Sequence, residues 1–261
     1  MIIDTHTHLD DGRYLDDLDK VISKAKEKNI GAFIIPGASI ETLPRAVEIA
    51  QNYDDIYFAV GVHPYDIESY DRSLLQKYIT HPKCVAVGEC GLDYFRLPAN
   101  KDEIEAEKKL QKEIFIDQID LANQYNKPLI VHIRDASADS LEILQKYPLK
   151  RGGVLHCYNA DESLLKLQDS FYYGIGGVIT FKNAKKLINV YPKIPLDRLL
   201  LETDSPYLTP HPHRGERNEP SYTKLIAQKM AELSGVSVEQ IEEITTNNAK
   251  ELFGIDTKGI K

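Results

Sequence analysis

The sequence predicts an α/β fold, a single-domain (β/α)8 TIM barrel spanning residues 1–261, and three observations lead there. Eight short runs rich in β-branched and aromatic residues recur along the chain. Each is followed by turn residues and then by a segment with helical periodicity, the pattern of βα units around a parallel sheet. The runs begin on average about 28 residues apart, the length of one βαβ repeat, and eight such repeats close a barrel.

The runs start near Ile2, Ala32, Tyr57, Cys84, Leu129, Val154, Tyr172 and Arg198. After the first, Leu15, Leu18, Val21, Ile22 and Ala25 fall on one helical face, and after the second so do Leu43, Ala46, Val47 and Ala50. Residues 101–126 read as a long helix, charged at first and then apolar at Ile114, Phe115, Ile119 and Ala122. Gly174-Ile175-Gly176-Gly177 lacks the helix and spacing of a nucleotide-binding fingerprint and reads as close packing in the seventh strand. After the eighth run, Pro206 to Pro220 is loop. A capping box, Ser237-Val238-Glu239-Gln240, then opens a last helix through Ile241, Ile244 and Leu252. No linker, low-complexity tract or internal repeat divides the chain, so one domain is expected.

Forty acidic against 32 basic side chains give a formal net charge of −8, which argues against nucleic-acid binding by bulk positive charge. No apolar stretch approaches the ~20 residues of a membrane-spanning helix, and no membrane partner is expected. The N-terminus has neither the basic nor the apolar region of a secretory signal. The three cysteines, Cys84, Cys90 and Cys157, form no CxxC pair, which suits a reducing compartment. A cytoplasmic protein is expected, with no obligate protein partner.

The chemistry gathers where the apolar runs end. Asp4-Thr5-His6-Thr7-His8 closes the first run, and in extended backbone His6 and His8 share a face. The fourth run leads into Glu89, the fifth into His132, the sixth into His156 and the eighth, through Glu202 and Thr203, into Asp204. A single histidine closing a strand is commonly a core residue, but six metal-competent side chains from five strands arrive at the rim where barrel enzymes keep their active sites. Four imidazoles and two carboxylates exceed the needs of one tetrahedral ion. Two divalent ions bridged by Glu89 are therefore expected, one with His6, His8 and Asp204 and the other with His132 and His156. Such a pair activates a water, and Asp204 can take its proton.

These residues lie in segments that together resemble a known family. His6-Thr7-His8, Gly61-Val62-His63-Pro64, Gly88-Glu89-Cys90-Gly91-Leu92-Asp93-Tyr94, Val131-His132-Ile133-Arg134-Asp135-Ala136, His156-Cys157-Tyr158, Glu202-Thr203-Asp204-Ser205-Pro206-Tyr207-Leu208 and Arg214-Gly215-Glu216-Arg217-Asn218-Glu219-Pro220 resemble, in that order, the TatD family of metal-dependent deoxyribonucleases. The likeness runs from residue 3 to about residue 253. It implies a barrel hydrolase that cleaves DNA phosphodiesters, as a 3'-to-5' exodeoxyribonuclease, with His6, His8, Glu89, His132, His156 and Asp204 as metal ligands and His63 as a pocket residue. Cys90 stands where the family pattern leads us to expect an aliphatic residue. Related amidohydrolase barrels often bridge their metals with a carboxylated lysine, whereas Glu89 here favours the phosphodiesterase branch.

Catalytic roles are expected for Asp204, Glu89 and His63, and substrate contacts for Arg134 and His63. The other cations near the rim are Arg96, Lys182, Arg214 and Arg217, the last two equally open to surface ion pairs with Glu216 or Glu219. Arg134 has its own bland alternative, an ion pair with Asp135 or Asp139. The aromatics Tyr65, Tyr94, Phe95, Tyr158 and Tyr207 follow strand ends and could stack bases or simply pack. Cys157 reads as a packed thiol. Imidazoles favour Zn2+ or Mn2+ as the cofactors and phosphodiester chemistry admits Mg2+. The expected partner is DNA, a single strand or a 3' end. A D-aminoacyl-tRNA deacylase or another ester or amide hydrolase is the rival enzyme, and a catalytically inactive metal-binding scaffold the rival from another class. Two divalent cations would halve the formal charge of −8 and concentrate positive potential at the rim.

Overall fold

A computed structural model describes residues 1–255. Eight parallel strands form one sheet in sequence order: β1 (Ile2–Asp4), β2 (Ile30–Ile35), β3 (Ile56–Val60), β4 (Cys84–Asp93), β5 (Leu129–Arg134), β6 (Gly153–Leu155), β7 (Phe171–Ile175) and β8 (Leu199–Leu201). All eight begin within two residues of the positions read from the sequence. The helices are α1 (Leu18–Glu27), α2 (Leu43–Asn52), α3 (Arg72–Ile79), α4 (Lys101–Gln124), α5 (Ser137–Lys146), α6 (Lys185–Val190), α7 (Thr223–Ser234) and α8 (Val238–Phe253). None of the described helices is long and apolar enough to cross a membrane.

The strands read as unbroken apolar runs because both faces are buried, as parallel sheets require. One cluster takes Ile3, Ile34, Ala59, Ala86, Ile130, Val154, Tyr172 and Leu200, one from each strand, and is closed by Leu252 and Phe253 of α8. Neighbouring strand residues, Ile2, Phe33, Phe58, Val87, Val131, Leu155, Tyr173 and Leu201, join the other cluster with apolar residues of the helices. Successive side chains alternate between the two layers. The inner layer therefore continues from Ala59 to His63, from Ile130 to His132, from Val154 to His156 and from Leu200 through Glu202 to Asp204.

Two places break that count: His6 and His8, which follow a bend at Thr5 just past β1, since Ile3 would otherwise send Thr5 and Thr7 inward, and Glu89, since Ala86 would send Gly88 inward. The register against β5 shifts between Val87 and Cys90, and a one-residue slip exchanges the two faces of a strand. Gly88 sits at φ +121 with no room for a side chain, as a Cβ there would lie 2.2 Å from the Ile130 carbonyl oxygen. A cis peptide bond joins Gly88 to Glu89.

The barrel closes between β1 and β8 largely beyond the strands themselves. Thr7 and Ser205 form a parallel bridge, their hydroxyls 2.7 Å apart. Asp204 N–H donates to the His6 carbonyl at 2.9 Å and His8 N–H to the Ser205 carbonyl at 2.8 Å. Buried Asp4 accepts from Thr203 N–H at 3.0 Å and from its hydroxyl at 2.6 Å.

Three expectations need correction. Leu15 precedes α1 and is 61% exposed, because the 3-10 turn Gly12–Tyr14, capped by Asp11, ends just before it. No α-helix follows β6, where a 3-10 segment, Glu162–Leu167, takes its place. The chain spends His156 to Asp161 on the rim, and Asp161 then caps the 3-10 segment by accepting from Ser163 N–H at 3.0 Å. Gly176 and Gly177 lie beyond β7, which ends at Ile175. The capping box forms as expected, Ser237 Oγ accepting from Gln240 N–H and the Gln240 side chain from Ser237 N–H.

Candidate metal centre

The six side chains singled out in the sequence meet at the C-terminal end of the barrel, with Glu89 at their centre. Its Oε2 lies 3.2 Å from His6 Nε2 and 3.7 Å from His8 Nε2. Its Oε1 lies 2.9 Å from His132 Nδ1 and 3.3 Å from His156 Nε2. Asp204 Oδ1 completes the first side, 3.5 Å from His8 Nε2 and 3.9 Å from His6 Nε2. Two donor groups therefore share one carboxylate, His6 and His8 on one oxygen, His132 and His156 on the other. Glu89 and His132 lie within their strands rather than at the ends the sequence suggested, since β4 and β5 run on to Asp93 and Arg134.

Asp204 holds a left-handed backbone at φ +54, a conformation that costs a non-glycine residue about 1–3 kcal/mol. It persists because the Asp204 N–H is bonded to His6 and the Asp204 carbonyl accepts from Tyr207 N–H at 2.9 Å. Burial favours the neutral form of Glu89, yet His156, His6 and His132 hold its carboxyl well below the usual range. Burial likewise opposes protonation of His8, but the Asp204, Glu89 and Asp10 carboxylates raise it to about 9. His63, nearly buried, is pushed down to about 3, chiefly by burial.

His63 stands beside this group, its Nε2 3.6 Å from Glu89 Oε1 and its Nδ1 accepting from Tyr65 N–H at 3.0 Å. A cavity of about 770 Å³ opens over the centre, lined among others by His8, His63, Glu89, His132, His156, Asp204 and Arg134.

A family model described as "TatD related DNase" matches residues 3–254. The chain belongs to this family. It is 43% identical over 262 residues to the uncharacterized metal-dependent hydrolase YabD of Bacillus subtilis (strain 168), covering 98% of this chain and 100% of that one. The 3'-5' ssDNA/RNA exonuclease TatD of Edwardsiella piscicida is 33% identical over 268 residues, 97% of this chain and 99% of its own. Among solved structures, YjjV, a TatD homologue from Escherichia coli K12, superposes with a TM-score of 0.89 at 30% identity, covering 98% of both chains. The TatD relatives are thus matched over nearly their whole length, and a metal-dependent hydrolase is the common description.

The donor set fits the divalent ions that such hydrolases use. His6 has both ring nitrogens buried and neither in a hydrogen bond, although Glu89 is close, and His156 Nδ1 is in the same condition. Unpaired buried nitrogens are costly, and a cation shared with the Glu89 carboxylate would satisfy His6 Nε2.

The cations divide. Arg134 and Arg96 line the cavity, stacked over Phe95 at 3.6 Å and over Tyr65 at 5.1 Å, and neither makes an ion pair among the described residues. The alternative pairing of Arg134 with Asp135 or Asp139 does not form; Asp139 binds Lys112 and Tyr94 instead. Arg217 pairs with Asp17 and Glu219, and Arg214 donates to the Thr209 carbonyl over the Phe181 ring. Lys182 is exposed outside the cavity lining. Tyr65, Tyr158 and Tyr207 line the cavity, and burial raises the Cys157 thiol to about 12, in keeping with a packed group.

Two carboxylates that the sequence reading gave no role stand against the histidines, Asp93 beside His132 and Glu202 beside His156. Their signal was present as Glu89-x-x-x-Asp93 and Glu202-x-Asp204, yet spacing along one strand does not say which neighbour each would meet.

Proposed function

We propose that this chain is a two-metal phosphodiesterase that removes nucleotides from the 3' end of a DNA strand. The observation that carries the reading is the division of Glu89, one oxygen toward His6 and His8 and the other toward His132 and His156. His6, His8, Glu89 and Asp204 would hold one divalent ion, and His132, His156 and Glu89 the other. Ions so paired lower the pKa of water from about 15.7 toward 7 and stabilise charge on attacking and leaving oxygens.

The chain's own groups supply the rest. Asp204, ionised and facing the cavity, would accept the proton of the attacking water on the carboxylate oxygen that does not hold the ion. His63 is neutral, and because its Nδ1 accepts from Tyr65 N–H, its remaining proton sits on Nε2. It can donate there to a phosphate or leaving-group oxygen. Arg134, free of carboxylate partners, offers a planar fork that suits phosphate. The relative named as a 3'-5' ssDNA/RNA exonuclease supports the substrate class and the polarity.

The test is a comparison of end-labelled single-stranded DNA with aminoacyl-tRNA after chelation and readdition of Mg2+, Mn2+ or Zn2+. Stepwise release of nucleotides, restored by metal and abolished in Glu89→Ala and His132→Ala, is the expected result. Free amino acid from intact tRNA would install the deacylase instead. Absence of turnover on both substrates would leave a binding scaffold, and DNA loss that survived both substitutions would mark a contaminating nuclease.

A further inference from the structure

Two of the four clustered histidines are gripped from behind, and they belong to the same half of the centre. His132 faces Glu89 with Nδ1 at 2.9 Å and Asp93 Oδ2 with Nε2, also at 2.9 Å. His156 faces Glu89 with Nε2 at 3.3 Å and Glu202 Oε1 with Nδ1, also at 3.3 Å. The side chains of Asp93 and Glu202 are each only 1% exposed. A neutral imidazole that offers a lone pair on one nitrogen carries its proton on the other, and that other nitrogen faces a buried carboxylate in both cases, in a hydrogen bond for His132 and in a 3.3 Å contact for His156. On the other side, His6 Nδ1 has no carboxylate within 4 Å among the described residues, its ion-pair contacts being through Nε2.

Both carboxylates are held by the fold for this contact. Asp93 Oδ1 is already taken by Phe95 N–H at 2.9 Å, which leaves Oδ2 for His132. The Asp93 backbone is clamped by Gln111 of α4, which accepts from Asp93 N–H at 2.9 Å and donates to its carbonyl at 3.1 Å. Glu202 reaches from the end of β8 past β7 to the end of β6, where Oε1 also accepts from Cys157 N–H at 2.6 Å. It passes at Gly174, where a Cβ would lie 2.3 Å from Glu202 Oε2. Gly174 of β7 is thus the opening that lets this carboxylate through.

We propose that Asp93 and Glu202 are positioning residues that fix the proton of His132 on Nε2 and that of His156 on Nδ1, turning the opposite nitrogens toward one ion. The carboxylates also make both imidazoles stronger donors, which strengthens the hold of this half of the centre on its ion. The proposal rests on the two-ion reading above. Loss of a carboxylate behind a ligating histidine weakens metal affinity about 10- to 100-fold in comparable sites.

The experiment measures metal content and melting temperature on the full chain, loaded with Zn2+ or Mn2+ and passed through graded chelator, for wild type, Asp93→Asn, Asp93→Ala, Glu202→Gln and Gly174→Ala. Each variant is expected to lose one ion at about 10- to 100-fold lower chelator strength than wild type. Asp93→Asn, which keeps an acceptor, should fall between wild type and Asp93→Ala. Gly174→Ala should behave like Glu202→Gln, because it displaces that carboxylate without removing it. Melting of metal-free Asp93→Asn and Glu202→Gln should stay close to wild type while the gain on loading shrinks. Equal destabilisation with and without metal, at unchanged ion content, would reduce both carboxylates to structural groups and overturn the proposal. A third ion in the wild type, lost alone in Asp93→Asn, would make Asp93 a ligand together with His63 and His132 and overturn it as well. A wild type that retains no ion would overturn the two-ion reading beneath it.

Discussion

His63 is the residue whose proposed work is chemical without being a ligand, so its removal separates catalysis from metal binding. His63→Ala should retain both ions by metal analysis while kcat on a single-stranded oligonucleotide falls about 10²- to 10⁴-fold, the range for a lost proton donor. Arg134 and Arg96 separate substrate attraction from chemistry in the same way. Replacing either with alanine should lower kcat/KM and make the slope of log(kcat/KM) against log[salt] shallower by about 0.7, the counterion released per phosphate contact on a single strand. An unchanged slope would place the strand elsewhere. The six clustered metal-competent side chains were legible because metal-competent types closed one apolar run after another. Asp93 and Glu202 were not, since their partners sit on other strands and only register brings them together. Arg217 illustrates the opposite limit, a cation beside two carboxylates whose ion pair with Asp17 spans 200 residues and is invisible to local reading.

At the scale of elements, strand starts were legible and helical content less so. Apolar runs bounded by turn residues declare a doubly buried strand, whereas the interval after β6 is long enough to suggest a helix and is consumed by the rim. Leu15 fitted a helical face by periodicity alone, and the turn that displaced it depends on Asp11. That aspartate accepts from Arg13 N–H at 2.8 Å and pairs with the Arg13 guanidinium, which lies 4.2 Å over the cavity-lining Tyr207 ring. The guanidinium holds the Asp11 carboxyl down at about 2, below the unfolded value near 3.9. A depressed carboxylate contributes stability that is present above the unfolded pKa and lost as pH falls through the folded one. The Asp11→Asn variant should therefore melt in urea before wild type at pH 6, and the gap should close between about pH 4 and pH 2. The effect should be small, because the pair is partly exposed. A gap that stayed constant down to pH 2 would assign the loss to the cap rather than to the charge.

On the two-ion reading proposed above, the whole molecule would couple ion binding to barrel closure. His6 and His8 follow β1, Asp204 follows β8, and the hydrogen bonds between these segments form part of the seam of the barrel. Ions that bind only the folded chain add stability by mass action, about 2.7 kcal/mol for one site at a hundredfold excess over Kd. At roughly 2–4 °C per kcal/mol for chains somewhat smaller than this one, chelation should lower the melting temperature by about 5–10 °C. Readdition of Mn2+ or Zn2+ should restore it. A melting temperature indifferent to chelator would mean that the seam holds without help. The barrel itself was legible from the rhythm of eight units, but its closure was not, because the bridge between Thr7 and Ser205 joins two loops that carry no strand signal.

That seam also fixes an order in time. During synthesis His6 and His8 are made before Thr203, Asp204 and Ser205, which hold them in place and follow nearly two hundred residues later. Every intermediate length lacks part of the first half-site. His132, His156 and Glu89 are all synthesised before β8, so the second half has its donors earlier but lacks Glu202. No nascent chain shorter than about residue 205 contains the complete centre. Hydrolytic competence therefore waits for β8 and the segment just after it, and fragments released earlier carry histidines without the finished enzyme.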